Sequence, residues 1–314
     1  MDGRSTEALV QRLERLEQSQ RRVKWLGMLL LLGLAAVVLL GQGQPASLTL
    51  TAQRFLLADG TGKARAALGL VQDGVALGLF DESGTTRLGL TVTADGPAVD
   101  LFDASGTPRL ELRSTASGPV IDLIDDTGLR RIALGVAPAG PLFNLFDASA
   151  VLRVGLQVTA DGPSLSLLNE QRQNRAVLQA TALGSALTLY DAAGTRRSGL
   201  TVPAQGPVTF DVFDAVGQRR LGLGVDDQTP FMNLFDANQR PRIGLFSAAT
   251  SSSFYLLDGD GTQQAGLTAT EQGPGLELFD ARGTRRATLA VVSDRPGLSF
   301  FNAEGGAIYT APGN

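Results

Sequence analysis

A unit of about 22 residues recurs along this chain from Phe55 onward, and this period constrains the fold more than any other feature of the sequence. Each of twelve copies has an Asp or Asn at the same place, and every interval between these residues is 22 except one of 23. They are Asp59, Asp81, Asp103, Asp125, Asp147, Asn169, Asp191, Asp214, Asp236, Asp258, Asp280 and Asn302. Such a fixed period indicates a repeat architecture, so the unit has to be interpreted before any single residue.

Apolar residues alternate on both sides of this residue, which we call position 0 of the unit. Positions −4 and −2 are apolar in all twelve units, and position +9 is Leu in eleven. Positions +7 and +11 are also mostly apolar, as Leu110 at +7 illustrates. Alternation with period two around a polar segment that contains Gly predicts one β-hairpin for each unit.

The segment at positions 0 to +3 has the composition of a type I turn. In Asp103–Gly106 the Asp side chain can accept backbone N–H groups, and the Gly tolerates a positive φ. A second turn, such as Thr93–Pro97, joins each unit to the next. We therefore assign a structural turn role to the position 0 carboxylates, namely Asp81, Asp103, Asp147, Asp191, Asp214 and Asp280.

An aromatic residue and an arginine recur on the other face of the hairpin. Position −1 is usually Phe, and position +6 is Arg in ten of the twelve units. A four-residue loop would pair Leu101 with Leu110 and Phe102 with Arg109, which predicts cation–π stacking and a contact between the Arg and a nearby Asp. The predicted cross-strand pairs are Phe80 with Arg87, Phe102 with Arg109, Phe146 with Arg153, Phe213 with Arg220, and Phe279 with Arg286. Gly at position +8, as in Gly89, leaves room for neighbouring rings.

These features predict an all-β repeat array of twelve hairpin units, with about 23 or 24 strands in an antiparallel meander. One face of this meander is aliphatic, and exposing the whole of it to water would be unfavourable. We rank first an elongated hairpin solenoid or an oligomeric β-spiral in which sister chains cover the face. A parallel solenoid ranks second, and a propeller of six four-stranded blades ranks third.

An uncharged run near the N-terminus predicts a transmembrane α-helix over residues 25–43. Six basic residues precede the run and only Arg54 follows it before the repeats. The positive-inside rule then places the N-terminus in the cytoplasm and the repeats on the other side of the membrane. The alternative is a cleaved signal peptide, although no clear cleavage site follows the run.

The remaining boundaries follow from this helix and from the repeat. Residues 1–24 are predicted to form a cytoplasmic amphipathic helix, with Leu9, Leu13, Leu16 and Val23 at the spacing of a coiled-coil seam. A short juxtamembrane helix is the alternative. Residues 44–54 are predicted as a linker and residues 55–314 as the repeat domain.

Composition argues against most catalytic chemistry. The chain has no His and no Cys, which removes His-based acid–base catalysis, thiolate nucleophiles and the usual zinc, copper or haem ligand sets. The net charge of −4 gives no basic excess for a nucleic acid. The Asp-x-Asp-Gly segment at Asp258 lacks the later ligands of a calcium loop. We therefore expect no enzyme activity, no cofactor, no metal site and no nucleic-acid partner.

The unit resembles tandem β-hairpin repeats of bacterial envelope proteins. The residues that carry the resemblance are Leu189-Tyr190-Asp191-Ala-Ala-Gly194-Thr-Arg196-Arg197. This segment is similar to the YD repeats of Rhs-type shells and to choline-binding cell-wall repeats, and the unit is similar in length to MORN repeats. The resemblance implies a repeat architecture and a location in the bacterial envelope, with the helix in the inner (plasma) membrane and the repeats in the periplasm or outside the cell. It assigns no binding residue.

We accordingly expect a non-enzymatic, membrane-anchored structural or scaffolding protein. A binding module for glycans, lipids or a surface ligand is one alternative, and an accessory subunit of a membrane complex is another. The expected partners are the membrane, further copies of the chain, with a trimer favoured, and other envelope proteins. The Ser-rich segment Thr250–Ser253 is a candidate bend or partner surface.

Overall fold

The computed structural model describes residues 3–40 and 51–312. The chain divides into two units, residues 1–53 and residues 54–314. The first contains the helix α1 (Gly3–Leu40), and the second contains only β-strands. The helical prediction for the N-terminal segment and the β prediction for the repeat region are therefore confirmed, while the predicted linker over 44–54 lies outside the described residues except at its last four positions.

Helix α1 does not support the predicted transmembrane helix. Among the residues described, no helix is long and apolar enough to cross a membrane. The charges of Arg21, Arg22 and Lys24 limit the uncharged part of α1 to residues 25–40, which span about 24 Å of helix against a hydrocarbon core of roughly 30 Å. Residues 41–43 of the predicted span lie outside the described part. The predicted coiled coil stays a prediction.

Each of the twelve units contributes two strands. The first twelve strands are β1 (Arg54–Ala58), β2 (Ala64–Val71), β3 (Gly74–Phe80), β4 (Thr86–Thr93), β5 (Gly96–Phe102), β6 (Pro108–Thr115), β7 (Gly118–Ile124), β8 (Arg130–Ala137), β9 (Gly140–Phe146), β10 (Leu152–Thr159), β11 (Gly162–Leu168) and β12 (Asn174–Thr181). The others are β13 (Gly184–Tyr190), β14 (Arg196–Pro203), β15 (Val208–Phe213), β16 (Arg219–Asp226), β17 (Thr229–Phe235), β18 (Pro241–Ser247), β19 (Ser251–Leu257), β20 (Gln263–Thr270), β21 (Gly273–Phe279), β22 (Arg285–Val292), β23 (Arg295–Phe301) and β24 (Ala307–Ala311).

The strands form a single antiparallel sheet in which every strand pairs with the next one along the chain. Over residues 51–312, β1 pairs only with β2 and β24 only with β23, so the sheet is not closed. The predicted antiparallel meander is confirmed. A continuous antiparallel sheet contradicts both lower-ranked alternatives, since a parallel solenoid needs parallel strands and a propeller needs separate blades.

The register within each hairpin confirms the predicted pair of Leu101 with Leu110 and corrects the predicted pair of Phe102 with Arg109. Leu101 lies opposite Leu110, and Val99 lies opposite Leu112. Phe102, however, pairs with Pro108. The Asp103 N–H also donates to the Thr107 carbonyl, so only residues 104–106 form the loop. Position +6 is then an unpaired residue in a β-bulge, where a four-residue loop would have paired it with Phe102.

The same correction applies to every predicted Phe–Arg pair, because each Phe at −1 lies opposite position +5. The observed pairs are Phe80 with Thr86, Phe102 with Pro108, Phe146 with Leu152, Phe213 with Arg219, and Phe279 with Arg285. The arginines at +6, namely Arg87, Arg109, Arg153, Arg220 and Arg286, fall at the bulge and have no cross-strand partner in the ladder.

The connection between units is a tight turn. Thr93 pairs with Gly96, which leaves two residues in the loop, as predicted for a turn at this place. The one longer interval differs, since Pro203 ends β14 and Val208 begins β15. The extra residue therefore lies in the loop between the strands, and the alternation of faces continues unchanged on both sides.

The sheet has hardly any conventional core. Of the described apolar residues only Ala133 is buried, at 3% exposure. Strands lie beside only the preceding and following strands of the chain. The array is therefore held together by neighbouring hairpins, as in other linear repeat proteins.

Candidate functional site

The turn at position 0 is built around one carboxylate, as the unit of Asp103 shows. The Asp103 backbone N–H donates to the Thr107 carbonyl over 2.9 Å, and the Gly106 N–H donates to the Asp103 carbonyl over 3.1 Å. Asp103 Oδ1 accepts the backbone N–H groups of Ser105, at 2.9 Å, and Thr107, at 3.0 Å, and also the Ser105 hydroxyl, at 2.6 Å. One carboxylate oxygen thus satisfies most donors of the loop.

All six aspartates that the sequence assigned to structural turns occupy this geometry. In each, Oδ1 accepts the backbone N–H groups of positions +2 and +4; the residues are Asp81, Asp103, Asp147, Asp191, Asp214 and Asp280. Asn169 and Asn302 use an amide oxygen in the same way. The charge is therefore not required for the turn itself.

These hydrogen bonds lower the pKa of the turn carboxylates. The Ser83 hydroxyl is the largest cause at Asp81, and the Ser105 hydroxyl at Asp103, and both lower the pKa from 3.8 to about 2. At Asp147, to which Ser149 donates its backbone N–H, the backbone N–H groups of Val151 and Ser149 lower the pKa most. Hydrogen bonds to the charged form favour that form, so the folded array prefers ionised turns.

This preference predicts an acid transition of the array. Because the pKa in the folded state lies below the ordinary value of 3.8, the contribution of these groups to stability is complete above about pH 4 and falls as the pH drops towards 2. We expect the melting temperature followed by circular dichroism to be constant from pH 7 to about pH 4 and to fall between pH 4 and 2.

The matched variants are Asp103→Asn and Asp103→Ala. Asn keeps the acceptor oxygen, as Asn169 does, so we expect Asp103→Asn to melt closer to the unchanged chain than Asp103→Ala at pH 7. A melting temperature that does not fall between pH 4 and 2, or equal melting temperatures for the two variants, would show that these hydrogen bonds do not stabilise the array.

The arginine at +6 pairs with the other carboxylate oxygen of its own turn. Arg109 Nε lies 2.8 Å from Asp103 Oδ2, and Arg153 Nη1 lies 3.0 Å from Asp147 Oδ2. Nine of the ten +6 arginines make this ion pair; they are Arg65, Arg87, Arg109, Arg131, Arg153, Arg197, Arg220, Arg242 and Arg286. The predicted contact between Arg and a nearby Asp is confirmed at these positions.

Several of the same arginines also reach the next hairpin. Arg87 Nε donates to the Phe102 carbonyl over 3.1 Å, and Arg286 Nε donates to the Phe301 carbonyl over 3.1 Å. The guanidinium group therefore joins the turn of one unit to the backbone of the following unit. Since the bulge leaves position +6 out of the ladder, its side chain is free to make this link.

Cation–π stacking involves arginines that the sequence reasoning did not select. They stand at +5, and each lies over the Phe at −1 of the following unit, with the guanidinium carbon 4.1–4.7 Å from the ring centroid. The pairs are Arg130 with Phe146, Arg196 with Phe213, Arg219 with Phe235, and Arg285 with Phe301. In all four units Arg stands at both +5 and +6, and this Arg–Arg dipeptide before a unit with Phe at −1 was the signal available in the sequence.

In some units the Gly at +8 lies beneath the Phe ring at −1 of the following unit. A side chain at Gly89 would contact the Phe102 ring at 3.5 Å, and one at Gly222 would contact the Phe235 ring at 3.5 Å. The predicted packing of rings over bare backbone is thus observed at these two positions. It covers part of the sheet face that carries Phe and Arg, which we call the Phe/Arg face.

Acidic residues at −3 and +8 were also missed by the sequence reasoning. Asp122 and Asp211 are each only 8% exposed, and they lie 3.5 and 3.3 Å from the +5 arginines Arg130 and Arg219. Glu111 lies between Asp100 and Asp122 on adjacent strands. Burial raises the pKa of Glu111, Arg113 opposes that shift, and the two neighbouring carboxylates add to it.

Among the described residues no group of three or more Asp or Glu side chains is arranged to hold a metal ion. Asp122 pairs with Arg130 and Asp211 with Arg219, in each case across the two strands of one hairpin, which gives these carboxylates a structural role within the hairpin.

The opposite face of the sheet carries the rows at positions −6, −4, −2, +7, +9 and +11, and we call it the aliphatic face. One groove on this face, of about 520 Å³, is lined by Met232, Leu245, Phe254 and Leu267. Small residues contribute to the groove, since Ser247, Ser252 and Ala269 stand at +11, −6 and +11, where most other units have Val or Pro. It lies next to the Ser-rich segment Thr250–Ser253.

Comparison with known proteins adds no family. No protein-family model matches the sequence, and no curated protein does. Among solved structures, the Photorhabdus luminescens Tc holotoxin pore aligns at 11% identity with a TM-score of 0.20, over 82% of this chain and 16% of the toxin chain. The TcdB2–TccC3 complex aligns at 10% identity with a TM-score of 0.17, over 82% of this chain and 18% of that chain.

A functionally unknown protein from Desulfotomaculum acetoxidans aligns at 7% identity with a TM-score of 0.16, over 83% of this chain and 92% of that chain. In contrast, this chain spans less than a fifth of the two toxin chains. TM-scores of this size do not establish a shared fold, and no residue role is taken from these proteins.

Proposed function

We propose that this chain is a non-enzymatic structural protein that attaches a long β repeat array to a membrane surface. The observation that carries the proposal is how the repeat uses its charged side chains. The carboxylates at position 0 bind turn N–H groups, and most arginines at +6 bind those carboxylates. Side chains engaged in this way at almost every unit stabilise a sheet and are not poised for catalysis.

The proposed membrane attachment rests on helix α1. Its leucines Leu29–Leu32 are 58–70% exposed, and uncharged residues surround the helix on all sides in this stretch. An apolar segment of this kind is unfavourable in water and favourable in a lipid interface. Arg21, Arg22 and Lys24 precede it and would attract anionic headgroups. The location of the array in the periplasm or outside the cell stays a prediction.

The arrangement of the array as an elongated solenoid is part of the same proposal. Each hairpin depends on its neighbours alone, so units can be added or removed without changing the others. The alternative roles, a binding module or an accessory subunit, stay predictions.

Deleting residues 104–191 tests the proposal, because it removes four whole units and joins Asp103 to Ala192 with the turn Asp-Ala-Ala-Gly intact. We expect the shortened chain to keep its β-sheet spectrum and to sediment with anionic lipid vesicles like the full chain. In small-angle scattering it should be shorter by up to about 38 Å, since eight strands are removed. The proposal would be contradicted if the shortened chain were unfolded. It would also be contradicted if the full chain stayed in the supernatant when the vesicles were sedimented.

A further inference from the structure

The aliphatic face is free of charge along the whole array. Its six rows contain no Asp, Glu, Lys or Arg in any of the twelve units. The Phe/Arg face, in contrast, carries Arg or an acidic residue in nearly every unit. The two faces of one sheet therefore differ sharply in their preference for water.

The aliphatic face is also exposed throughout the array. The eleven leucines at +9 are 37–55% exposed; they are Leu68, Leu90, Leu112, Leu134, Leu156, Leu178, Leu200, Leu223, Leu245, Leu267 and Leu289. Leucines at −2 are exposed to a similar extent, with Leu101 at 38% and Leu167 at 43%. The described part of the chain has no second layer that packs on these side chains, since every strand lies beside only its sequence neighbours.

The area of this face is that of a stable protein interface. Twenty-four strands at ~4.8 Å give a length of about 115 Å, and apolar rows about 15 Å wide give on the order of 1,700 Å². A standard interface buries about 800 Å² on each partner, and exposed apolar patches of monomers rarely exceed a few hundred Å². A surface of this extent is expected to be covered in the assembled protein.

The dimensions of the face identify the partner that fits it. A covering surface must be equally long, equally free of charge, and matched to a period of two strand spacings, about 10 Å. The aliphatic face of this chain has all of these properties. Two such sheets can stack at about 10 Å with their charged faces in water, and because they share one sequence they share one twist.

We propose that the aliphatic face pairs with the aliphatic face of a second copy of this chain, so that two sheets form a sandwich. One partner sheet covers the whole face, so the pairing closes at a dimer. This inference goes beyond the proposed function, because pairing through this face requires neither membrane attachment nor a structural role in the cell.

Cysteine cross-linking of the full chain tests the pairing, because the chain has no Cys of its own. Leu178 lies near the middle of the array on the aliphatic face and is 51% exposed, and the next residue, Gln179, is also exposed but lies on the Phe/Arg face. In mild detergent and oxidising conditions we expect most Leu178→Cys chains to form disulfide-linked dimers, and less than a tenth of Gln179→Cys chains to do so. Equal cross-linking of the two variants would overturn the proposal.

Light scattering on charged variants provides the second measurement. We expect the unchanged chain and the control Gln179→Glu to have twice the chain mass of 32.8 kDa. The double variant Leu134→Glu with Leu178→Glu should have the mass of one chain and keep the same β-sheet spectrum, because both side chains are already exposed in the single sheet. An unchanged chain that is a monomer or a trimer, or a double variant that stays a dimer, would overturn the pairing.

Lipid is the other possible occupant of an apolar face, and a labelling experiment separates it from a second copy. The Leu178→Cys thiol should be protected from a maleimide reagent at micromolar protein without vesicles, and should become reactive on dilution. Protection that appears only when neutral lipid vesicles are added would show that the face binds lipid, and would overturn the pairing. Neither outcome affects the unit-deletion test of the structural role.

Discussion

Replacing Gly118 by alanine is expected to disrupt the hairpin of β7 and β8. Gly118 begins β7 with a φ of +121°, and an added Cβ would overlap the carbonyl oxygen of Val136. The obstructing atom belongs to the backbone of the adjacent strand, so the overlap can be relieved only by moving a strand. We expect a cost of about 3 to 5 kcal/mol, seen as loss of amide-exchange protection across β7 and β8.

Gly128→Ala is the matched control in the same hairpin. Gly128 also has a positive φ, of +80°, but an added Cβ would meet no atom within 4 Å. Only the backbone strain of the left-handed region remains, and it costs about 1 kcal/mol. Ala150 already occupies the equivalent position of the next unit with a φ of 57°. Equal destabilisation by the two substitutions would show that the close approach at Gly118 is not present.

Deleting Gly155 from the middle of β10 is expected to have an effect of similar size. Side chains alternate between the two faces, so a missing residue moves Leu156 to the Phe/Arg face and Gln157 to the aliphatic face. The tight loops at both ends of β10 leave no spare residue to absorb the shift. We expect the loss of pairing with β9 and β11, at a cost on the order of 3 kcal/mol, and new proteolytic cleavage at this unit.

Deleting Pro207 is the corresponding control. It shortens the one 23-residue interval, from Asp191 to Asp214, to the 22 residues of all the other intervals. The shortened loop would read Pro203-Ala-Gln-Gly206-Val208, which matches the loop Val71-Gln-Asp-Gly74-Val75. We expect a melting temperature within about 2 °C of the unchanged chain, since no strand residue changes face. Strong destabilisation by this deletion, or tolerance of the Gly155 deletion, would contradict the assigned register.

Much of the fold could be predicted from the repeat, because apolar alternation restricts the register of a strand. Leu101 could be matched to Leu110, since any slip by one residue would place the apolar side chains on the wrong face. The turn could be predicted from Asp103 and Gly106 for a similarly local reason. Such inferences need only neighbouring residues, and the structure contains almost only neighbouring contacts.

The bulge at +6 could not be predicted in this way. A four-residue loop, and a three-residue loop followed by a bulge, place Leu101 opposite Leu110 equally well, so the apolar pattern does not distinguish them. The choice is made by the Asp103 N–H and the Thr107 carbonyl, which form a hydrogen bond that the sequence does not reveal. The roles of Arg130 and Arg131 depend on this detail, because one lies in the ladder opposite Ile124 and the other at the bulge.

The aliphatic face shows another limit of sequence reasoning. Its composition could be recognised from the sequence, and the need to cover it follows from the hydrophobic effect. What covers it depends on chains and lipids outside a single sequence. The same holds for helix α1, whose apolar stretch is evident while its surroundings are not.

The central claim is that consecutive antiparallel hairpins form one continuous sheet, and a distance between two spin labels tests it directly. Labels on Arg113→Cys and Gln179→Cys would occupy position +10 of units three apart, separated by six strand spacings. With labelled chains diluted in unlabelled chain, electron paramagnetic resonance should give a separation of about 29 Å, somewhat changed by twist. A separation of about 14 Å, which one strand for each unit would produce, would contradict the account.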